Sequence, residues 1–233
     1  MIEITLRGRG KNALSTELMT RLIAEVKAAR GAPLLLTGEG DAFSAGLDLK
    51  ELATLDAAGV EAFLALLDEL IVVLFEHPGP TVACLNGHAI AGGCVVALAC
   101  DHRVLTTSPK ARVGLNEVAI GLRFPPRVLR LARARLGPLV ERRVLLEAGL
   151  YAPPEALALG LADELSEDAV STGRARLEKW AAHDAGAFAA AKAALTRGAL
   201  DLDPDEVRRY RDEVLPRWTG DELKKIVASV LGR

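Results

Sequence analysis

The stretch NGHAIAGGCVVALACDHRV, from Asn86 to Val104, sets a pair of glycines directly before a short apolar helix and ends at the start of a strand. Gly92 and Gly93 carry no side chains, so the backbone can approach a ligand closely at this point. The first amide N–H groups of a helix have no partner within the helix, and the helix dipole adds positive charge there. The segment is typical of a loop that holds an anion, or an oxygen that becomes anionic during a reaction. The plain alternative is that the glycines only permit close packing.

A second loop, FSAGLDLKEL from Phe43 to Leu52, repeats this arrangement. Its small residues precede a helix start at Asp48, and the loop follows the apolar strand APLLLTGEG. For the same reasons as at Gly92, we expect the backbone amide of Leu47 to be available to a ligand. Because each loop follows a buried strand, we expect the two amides to converge on one carbonyl oxygen.

Working outward from these loops, strands alternate with helices along most of the chain. Apolar or alternating runs predict strands in IEITLRG and HRVLTTSPKARVGL, and a strand followed by a glycine loop in both APLLLTGEG and PTVACLNGHAIAGG. Helical spacing predicts helices in STELMTRLIAEVKAA, with Ser15 as its cap, in VEAFLALLDELIVVLFEHP and in CVVALACD. The sequence beyond Pro125 is predicted to be helical. This order favours an α/β fold with buried parallel strands in residues 1–165, followed by a helical region in residues 166–233.

The composition excludes several classes of function. With 233 residues the chain suits one domain, or one domain with an appendage, and its net charge of -2 gives no overall attraction to nucleic acid or to acidic membranes. Three cysteines (Cys84, Cys94 and Cys100) form no CxxC pair and no even disulfide set, so we expect reduced, buried thiols and a cytoplasmic location. No leader segment and no apolar run of about 18 residues is visible, which predicts no membrane association.

Five segments together resemble, in order and spacing, the signature segments of the crotonase superfamily, which contains the enoyl-CoA hydratases and isomerases. The segments are NALS (Asn12–Ser15), AFSAGLDLKEL (Ala42–Leu52), NGHAIAGGCVVALACDHRV (Asn86–Val104), VGLNEVAIGL (Val113–Leu122) and APPEALALGLADEL (Ala152–Leu165). Each segment alone is weak, but the resemblance covers nearly the whole chain. It implies a spiral of ββα turns with a C-terminal helical region that builds homotrimers, often paired into hexamers, and contributes part of the acyl pocket.

The resemblance also implies a ligand. Members of the superfamily bind acyl-CoA thioesters, with coenzyme A as part of the substrate and no separate cofactor. Two backbone amides hold the thioester oxygen, and at the matching positions here these belong to Leu47 and Gly92. Contacts to the substrate and its coenzyme A portion are implied for Lys11, Ala13, Leu14, Ala45, Gly46, Asp48, Leu49 and Gly93.

The stretch RVGLNEVAIGL contains one carboxylate, Glu117, among apolar residues. The hydratases of the superfamily use two glutamates, one in this motif and one two positions after the glycine pair, where this chain has Val95. Adding water to a double bond divides the work between two acid/base groups, and valine cannot transfer a proton. Moving a double bond from the 3 to the 2 position needs only one base. Among members of the superfamily, the chain most resembles the single-glutamate enoyl-CoA isomerases, whose PAGGCLVAL and GLNET segments are similar to IAGGCVVAL and GLNEV here.

The sequence accordingly predicts an enoyl-CoA isomerase in which Glu117 is the acid/base and its apolar setting raises its pKa. One alternative is an enoyl-CoA hydratase, or another acyl-CoA lyase, with an unidentified second group. Another is a catalytically silent relative that binds CoA or RNA. The plain alternative for Glu117 itself is a side chain that reaches solvent or caps the backbone. Chain length of the substrate and metabolic pathway are not indicated.

Other candidate residues have plainer explanations. Ser44 lies one residue away from a complete G-x-S-x-G motif, because Ala42 replaces the first glycine. His88 is a lone histidine, and Asp101 is expected to anchor a helix end or the next strand. No His, Cys, Asp and Glu cluster has metal-ligand spacing, so no metal is predicted.

An arginine-rich segment runs from Arg123 to Arg143, with seven arginines and one acidic residue, Glu141. A solvated helix face or a subunit contact is the plain interpretation. Neutralising the phosphates of coenzyme A or binding RNA are the alternatives, but no aromatic residues are interleaved and the net charge is not basic. We therefore expect no nucleic acid as a partner.

Overall fold

In residues 1–232, which the computed structural model describes, eight strands form two parallel sheets. The strands are β1 (Ile2–Leu6), β2 (Leu34–Gly38), β3 (Ala42–Ser44), β4 (Thr81–Leu85), β5 (His88–Ile90), β6 (His102–Thr106), β7 (Val113–Gly114) and β8 (Glu164–Ser166). The first sheet has the order β1-β2-β4-β6-β8, and the second has the order β3-β5-β7. All pairs of neighbouring strands are parallel.

Helices connect the strands and make up most of the C-terminal third. They are α1 (Arg9–Asn12), α2 (Thr16–Ala28), α3 (Leu49–Leu52), α4 (Ala57–Phe75), α5 (Gly92–Ala99), α6 (Pro126–Glu147), α7 (Pro153–Ala158), α8 (Ala169–Ala181), α9 (Ala185–Thr196), α10 (Pro204–Arg209), α11 (Leu215–Thr219) and α12 (Asp221–Leu231). A 3-10 helix covers Val118–Ile120, and a π-helical turn covers Tyr210–Val214. Within the described residues, no helix has the length and apolar character needed to cross a membrane.

The chain winds as a spiral in which each turn contributes one strand to each sheet and then a helix. The turns run β2, β3, then α3 and α4; β4, β5, then α5; and β6, β7, then the 3-10 helix and α6. In the first turn, Leu14 forms a single parallel bridge to Leu47 and so takes the place of a strand in the second sheet. This arrangement confirms the predicted α/β spiral of ββα turns and the predicted C-terminal helices.

Burial on both faces of the first sheet explains its apolar strands. On one face, α2 presents its buried residues to the main core, and Ser15 caps that helix as predicted, its Oγ accepting a hydrogen bond from the Leu18 amide at 3.1 Å. On the other face, α8 packs over a second cluster that includes Val82 and Leu177. A parallel strand covered on both faces needs apolar residues throughout, and all five residues of β4 are buried.

Three short strands were not expected from the sequence. Residues 41–52 were predicted as a loop but contain β3, residues 88–90 form β5, and the region predicted to be entirely helical contains β8. Each of these strands has only three residues, too few to show a periodic pattern. The predicted boundary at residue 165 lies inside β8, and α8 beyond it packs on the sheet. The role of residues 166–233 in subunit assembly stays a prediction.

The three cysteines are buried and form no disulfide, as predicted for reduced thiols. Burial raises the pKa of the Cys84 and Cys100 thiols to about 12, and it raises the pKa of Cys94 as well. Because the thiolate is the reactive form, these cysteines are chemically inert at neutral pH.

Candidate active site

The two glycine loops meet at the centre of the molecule. A Cβ built on Gly92 would lie 3.3 Å from the Leu47 nitrogen and 3.1 Å from Leu47 Cδ2. On the opposite side, Gly46 has a φ of +95°, and a Cβ there would lie 2.8 Å from the Ile90 oxygen. Glycine is therefore required at position 46 both by backbone conformation and by space. The close packing that glycine permits is what brings the Leu47 and Gly92 amides together.

Both amides are free to bind a ligand. Gly92 is the first residue of α5, so its N–H has no partner in the helix, and neither the Gly92 nor the Leu47 amide donates a hydrogen bond to any residue in the described range 1–232. Ala91, just before the helix, has a φ of 48° and a ψ of -120°, a conformation that L-residues rarely adopt. A hydrogen bond from the Ala91 amide to the Gly114 oxygen, 2.8 Å long, helps to hold it there. Strain of this kind often marks a functional site.

Glu117 is the buried carboxylate that the sequence singled out. It lies three residues beyond β7 at the start of the 3-10 helix, where its carbonyl oxygen accepts hydrogen bonds from the amides of Ile120 and Leu122. Its side chain does not cap that helix and is only 7% exposed, so neither plain explanation for it holds. Its Oε2 has no hydrogen-bond partner among the described residues. Burial raises the pKa of Glu117 to about 7, although a hydrogen bond from its own backbone amide lowers it in part.

A cavity of about 150 Å³ joins the two amides to this carboxylate. Most of the residues that line it are apolar: Ala45, Leu47, Leu49, Leu67, Ile90, Ala91, Gly92, Val95, Ile120, Leu122, Pro125, Val128, Trp218 and Val230. Asn116 and Glu117 complete the lining, and Glu117 is the only titratable side chain among the described residues around the cavity. Val95, 1% exposed, forms part of the wall. The site thus combines one proton carrier, two free amides and an apolar chamber.

Asn116 is a polar residue that the sequence interpretation did not identify. Its Oδ1 is buried and accepts no hydrogen bond from the described part of the chain. Its position directly before Glu117 was the only available signal.

The far end of the cavity is built by the C-terminal helices. Trp218 on α11 is 1% exposed, and its indole Nε1 donates a hydrogen bond of 2.9 Å to the carbonyl oxygen of Arg123. Val230 on α12 adds a further apolar surface. No local pattern indicated either residue, because both are separated from Glu117 by roughly half the chain. Residues 166–233 thus contribute to the cavity lining, and their role in an acyl pocket stays a prediction.

Some of the residues predicted to bind substrate lie at the cavity, and others support it. Ala45 and Leu49 line the cavity directly. Leu14 lies behind it, with its Cδ1 3.2 Å from the point where a Gly92 Cβ would stand. Gly46 accepts a hydrogen bond of 2.7 Å from the Leu14 amide, which ties the N-terminal segment to the loop.

The remaining predicted residues do not line the cavity. Lys11 lies at the surface in an ion pair with Asp41, at 2.9 Å, and the adjacent Ala13 is partly buried. Asp48 uses its Oδ1 to cap α3, and Gly93 packs so tightly that a Cβ would lie 2.4 Å from the Ser44 oxygen. Contacts from these residues to coenzyme A stay predictions.

Of the three other candidates, Ser44 and Asp101 have structural roles, and His88 lies outside the cavity lining. Ser44 Oγ donates to the Asn12 oxygen at 2.8 Å and accepts from the Gly46 amide at 3.2 Å, so it shapes the loop. His88 does not line the cavity, and burial lowers its pKa. Asp101 has a structural role, but it anchors the start of β4 rather than the predicted helix end or next strand: its Oδ2 accepts hydrogen bonds from the Thr81 amide at 2.9 Å and from Lys192 Nζ at 2.6 Å.

The arginine-rich segment is largely neutralised by partners from elsewhere in the fold. Six of its seven arginines bond to carboxylates or carbonyl oxygens: Arg123 to the Glu213 oxygen, Arg127 to Asp68, Arg130 to Glu206, Arg133 to Glu141, Arg135 to the Leu98 oxygen and Arg143 to Glu147. Most of these partners lie outside the segment and are not apparent from its linear sequence. The pairing shows contacts within one chain, which neither the predicted solvated face nor the predicted subunit contact describes.

Comparison with known proteins identifies, over nearly the whole chain, the family that the sequence motifs resemble. Residues 1–222 match the family described as enoyl-CoA hydratase/isomerase. The human protein named enoyl-CoA delta isomerase 1, mitochondrial, is 32% identical over 179 residues, which cover 73% of this chain and 59% of that protein. The Arabidopsis thaliana protein named enoyl-CoA delta isomerase 2, peroxisomal, is 32% identical over 77% of this chain and 80% of its own length. A putative enoyl-CoA hydratase of Thermus thermophilus is 37% identical over 67% of this chain and 63% of its own length.

Solved structures agree with the sequence match. The crystal structure of human mitochondrial delta3-delta2-enoyl-CoA isomerase superposes with a TM-score of 0.88 at 27% identity and covers 99% of this chain and 92% of that one. An enoyl-CoA hydratase from Bacillus halodurans superposes with a TM-score of 0.84 at 26% identity, covering 97% and 95% of the two chains. The chain therefore belongs to the enoyl-CoA hydratase/isomerase family, within the crotonase superfamily.

Proposed function

We propose that the protein is an enoyl-CoA isomerase that converts a 3-enoyl-CoA into a 2-enoyl-CoA. One observation carries this proposal: Glu117 is the only titratable side chain among the described residues that line the cavity, and Val95 occupies the position of the other glutamate of the hydratases. The names of the human and Arabidopsis relatives add support. The human protein is covered over only 59% of its length, so its activity is carried over here as a proposal.

The proposed reaction is a proton transfer from C2 to C4. The Glu117 carboxylate removes a proton from C2 of the 3-enoyl thioester, and the electron pair released spreads over C2 to C4 and onto the thioester oxygen as a dienolate. Protonated Glu117 then delivers the same proton to C4, which leaves the double bond between C2 and C3. A carboxyl group with a pKa of about 7 suits both halves of this reaction, because it gains and loses a proton with little driving force either way.

The negative charge on the thioester oxygen needs donors that are already in place. The amides of Leu47 and Gly92 are suitable because both are free of protein partners in the described chain and Gly92 opens α5, where the helix dipole is positive. Removing one donor of this kind typically costs about 3 kcal/mol of transition-state stabilisation. The apolar lining strengthens the effect, since electrostatic interactions are weakened less there than in water.

Hydration of a 2-enoyl-CoA is the alternative activity. Its strongest support is Asn116, a second polar residue in the cavity lining, whose buried Oδ1 lacks a partner in the described residues. A carboxamide holds water but does not take or give a proton at neutral pH, so one half of the acid/base work lacks a carrier. Several relatives carry hydratase names, among them the Thermus thermophilus protein.

Other properties are proposed on weaker grounds. The ligand is an acyl-CoA thioester with no separate cofactor, and we propose a homotrimer or a pair of trimers. Exposed leucines on α6, Leu139 at 85% and Leu146 at 67%, support self-association. A cytoplasmic location and the absence of nucleic-acid and membrane partners stay predictions. The names of the human and Arabidopsis relatives refer to mitochondria and peroxisomes.

The decisive experiment supplies purified protein with 3-hexenoyl-CoA and, separately, with 2-hexenoyl-CoA, and follows both products by chromatography. Isomerisation that is lost in Glu117→Gln, a variant of nearly the same shape that cannot act as the base, supports the proposal. Glu76→Gln, on an exposed glutamate at the end of α4, is the matched control and keeps full activity. Rapid hydration of the 2-enoyl substrate with slow isomerisation would overturn the isomerase proposal. RNA retention at moderate salt, without a rise in melting temperature on adding CoA, would favour the silent relative.

A further inference from the structure

A second cavity lies beside the first and shares two residues with it. This outer cavity, of about 240 Å³, is lined by Ala119, Ile120, Lys225, Ile226, Ser229 and Val230. Ile120 and Val230 line the inner cavity as well. Since the same two side chains face both spaces, they form the partition between them.

The inner cavity offers an acyl chain few other directions. Its reactive end is defined by the amides of Leu47 and Gly92 and by the carboxylate of Glu117. Another part of the cavity wall is formed by Trp218, which is buried and donates a hydrogen bond from its indole N–H to the Arg123 oxygen. A fully buried aromatic ring with its polar atom bonded is costly to displace. An acyl chain that outgrows the inner cavity therefore has its next available space beyond Ile120 and Val230.

The two sides of the partition belong to different parts of the chain. Ile120 ends the 3-10 helix that follows Glu117, and its amide donates to the Glu117 oxygen at 3.2 Å. Val230 lies near the end of α12. The two elements pack closely. A Cβ built on Gly121, which follows the 3-10 helix, would lie 3.6 Å from Cδ1 of Ile226 on α12. Movement of α12 would therefore change the width of the partition without moving the loops that carry the amides.

The character of the partition suits an alkyl chain. Ile120 and Val230 are apolar, half-buried and branched at Cβ, so each side chain has few rotamers available. Beyond them, the outer cavity adds the alkyl surface of Ile226, while Lys225 and Ser229 supply polar groups at its margin. The apolar lining thus continues past the partition along Ile226, which offers alkyl surface to a long saturated tail.

We propose that Ile120 and Val230 form a gate through which the distal end of a long acyl chain leaves the active-site cavity, and that this pair sets the chain-length preference. The inference rests on the proposed binding of an enoyl-CoA thioester. It adds a substrate class: thioesters whose chains extend past the gate are bound with their tails in the outer cavity.

The test compares substrates of different length in variants that narrow or widen the gate. Val230→Phe narrows it, Ile120→Ala widens it, and Ala228→Phe, which places the same side chain on the exposed side of α12, is the control. For each protein, kcat/KM is measured with six-, eight-, twelve- and sixteen-carbon 3-enoyl-CoA substrates. Binding of the saturated acyl-CoA of each length is measured by calorimetry, and melting temperatures show that each variant is folded.

We expect Val230→Phe to lower the ratio of twelve-carbon to six-carbon kcat/KM by about tenfold, the scale on which apolar pockets discriminate chain size. Ile120→Ala raises the same ratio, and Ala228→Phe leaves it at the wild-type value. Calorimetry shows the same pattern for saturated ligands. An unchanged ratio in both gate variants overturns the gate.

The failure of the gate and the failure of the proposed function give different results. If the wild-type protein binds saturated acyl-CoA but isomerises none of the substrates, the isomerase proposal fails while calorimetry still tests the gate. If isomerisation proceeds but neither gate variant alters the dependence on length, the gate fails and the isomerase proposal stands. Should Val230→Phe not fold, Val230→Met narrows the same space with a more adaptable side chain.

Discussion

The backbone nitrogen of Leu47 lies 3.3 Å from the point at which a Cβ on Gly92 would stand. Two loops that are 45 residues apart in the chain therefore lie close together. In the described structure, the amides of Leu47 and Gly92 have no protein partner. A methyl group at position 92 would press on Leu47 without disturbing backbone conformation, because Gly92 does not have a positive φ.

Gly92→Ala is therefore expected to lower kcat while leaving the protein folded. The added methyl group shifts Leu47 and its amide away from the thioester oxygen, and misplacing an oxyanion donor typically costs about tenfold to a hundredfold in rate. Alanine also favours the helix that starts here, which offsets part of the packing cost. Kinetics with a 3-enoyl-CoA and thermal unfolding measure both effects.

Gly186→Ala is the matched control, since it also adds a methyl group in the first turn of a helix, α9, away from the cavity. Its kinetics should match those of the wild type. A Gly92→Ala variant with wild-type kcat would argue against a role for these amides.

The pH dependence of isomerisation should report the ionisation of Glu117. Burial raises the pKa of this carboxyl group to about 7, and only the carboxylate form removes the C2 proton. We expect kcat/KM to be level above about pH 7 and to fall about tenfold per pH unit below it. Steady-state kinetics from about pH 5.5 to 8.5 measure the profile, and a flat profile would contradict the assignment of Glu117 as the base.

The same carboxyl group should destabilise the folded protein at high pH. Its pKa rises from an ordinary value of 4.5 to about 7, so the folded state holds a proton that the unfolded state has lost between these two values. The resulting stabilisation is complete below the lower pKa and is lost as the pH rises through the higher one, an effect on the order of 3 kcal/mol. Glu117→Gln has no such dependence.

We therefore expect the melting temperature of Glu117→Gln, relative to that of the wild type, to be higher at about pH 8 than at about pH 5. Thermal unfolding at both pH values gives the comparison. Glu76→Gln, on an exposed residue, should show no such change with pH. An opposite trend for Glu117→Gln would mean that the carboxylate is stabilised in the fold.

Val95→Glu tests why a single carboxylate is present. Val95 lines the cavity and is 1% exposed, so a glutamate there supplies the second acid/base group that hydration needs. We expect measurable hydration of 2-hexenoyl-CoA, together with a loss of about 3 kcal/mol in the free energy of unfolding, because a second carboxyl group is buried beside Glu117. Val95→Gln, which has the same size but transfers no proton, should lose stability without gaining hydration. If both variants gain equal hydration, proton transfer at position 95 is not what separates the two activities.

Asp101→Ala tests an anchor remote from the cavity lining. Its carboxylate binds Thr81 and the nearly buried Lys192, whose side chain is 7% exposed, so removing it leaves an uncompensated cation in the core. We expect a loss of about 3–5 kcal/mol in the free energy of unfolding, measured with urea. Lys192→Met should cost less, and the double variant should lose less than the sum of the two. A loss under about 1 kcal/mol for Asp101→Ala would show that the pair contributes little.

Local sequence patterns predicted much of the site. The two glycine loops before helix starts, the lone glutamate in an apolar stretch and the valine in place of a second glutamate are all visible in short windows. They were sufficient because they report backbone conformation, free amides and the presence or absence of a proton carrier, which depend on residue type and immediate neighbours. Short strands such as β5 were missed because three residues carry no period, and their pairing is supplied by β3 and β7.

By itself the sequence determined the fold class and the family, and it predicted an acid/base role for Glu117. Only the tertiary structure decided how the cavity is closed and where it leads. Trp218 is held at the site by a hydrogen bond to a residue 95 positions away, Val230 and Ile120 line both cavities, and three of the six arginines of α6 find partners in distant elements. Such contacts depend on how the whole spiral winds and packs, so no local window of sequence contains them.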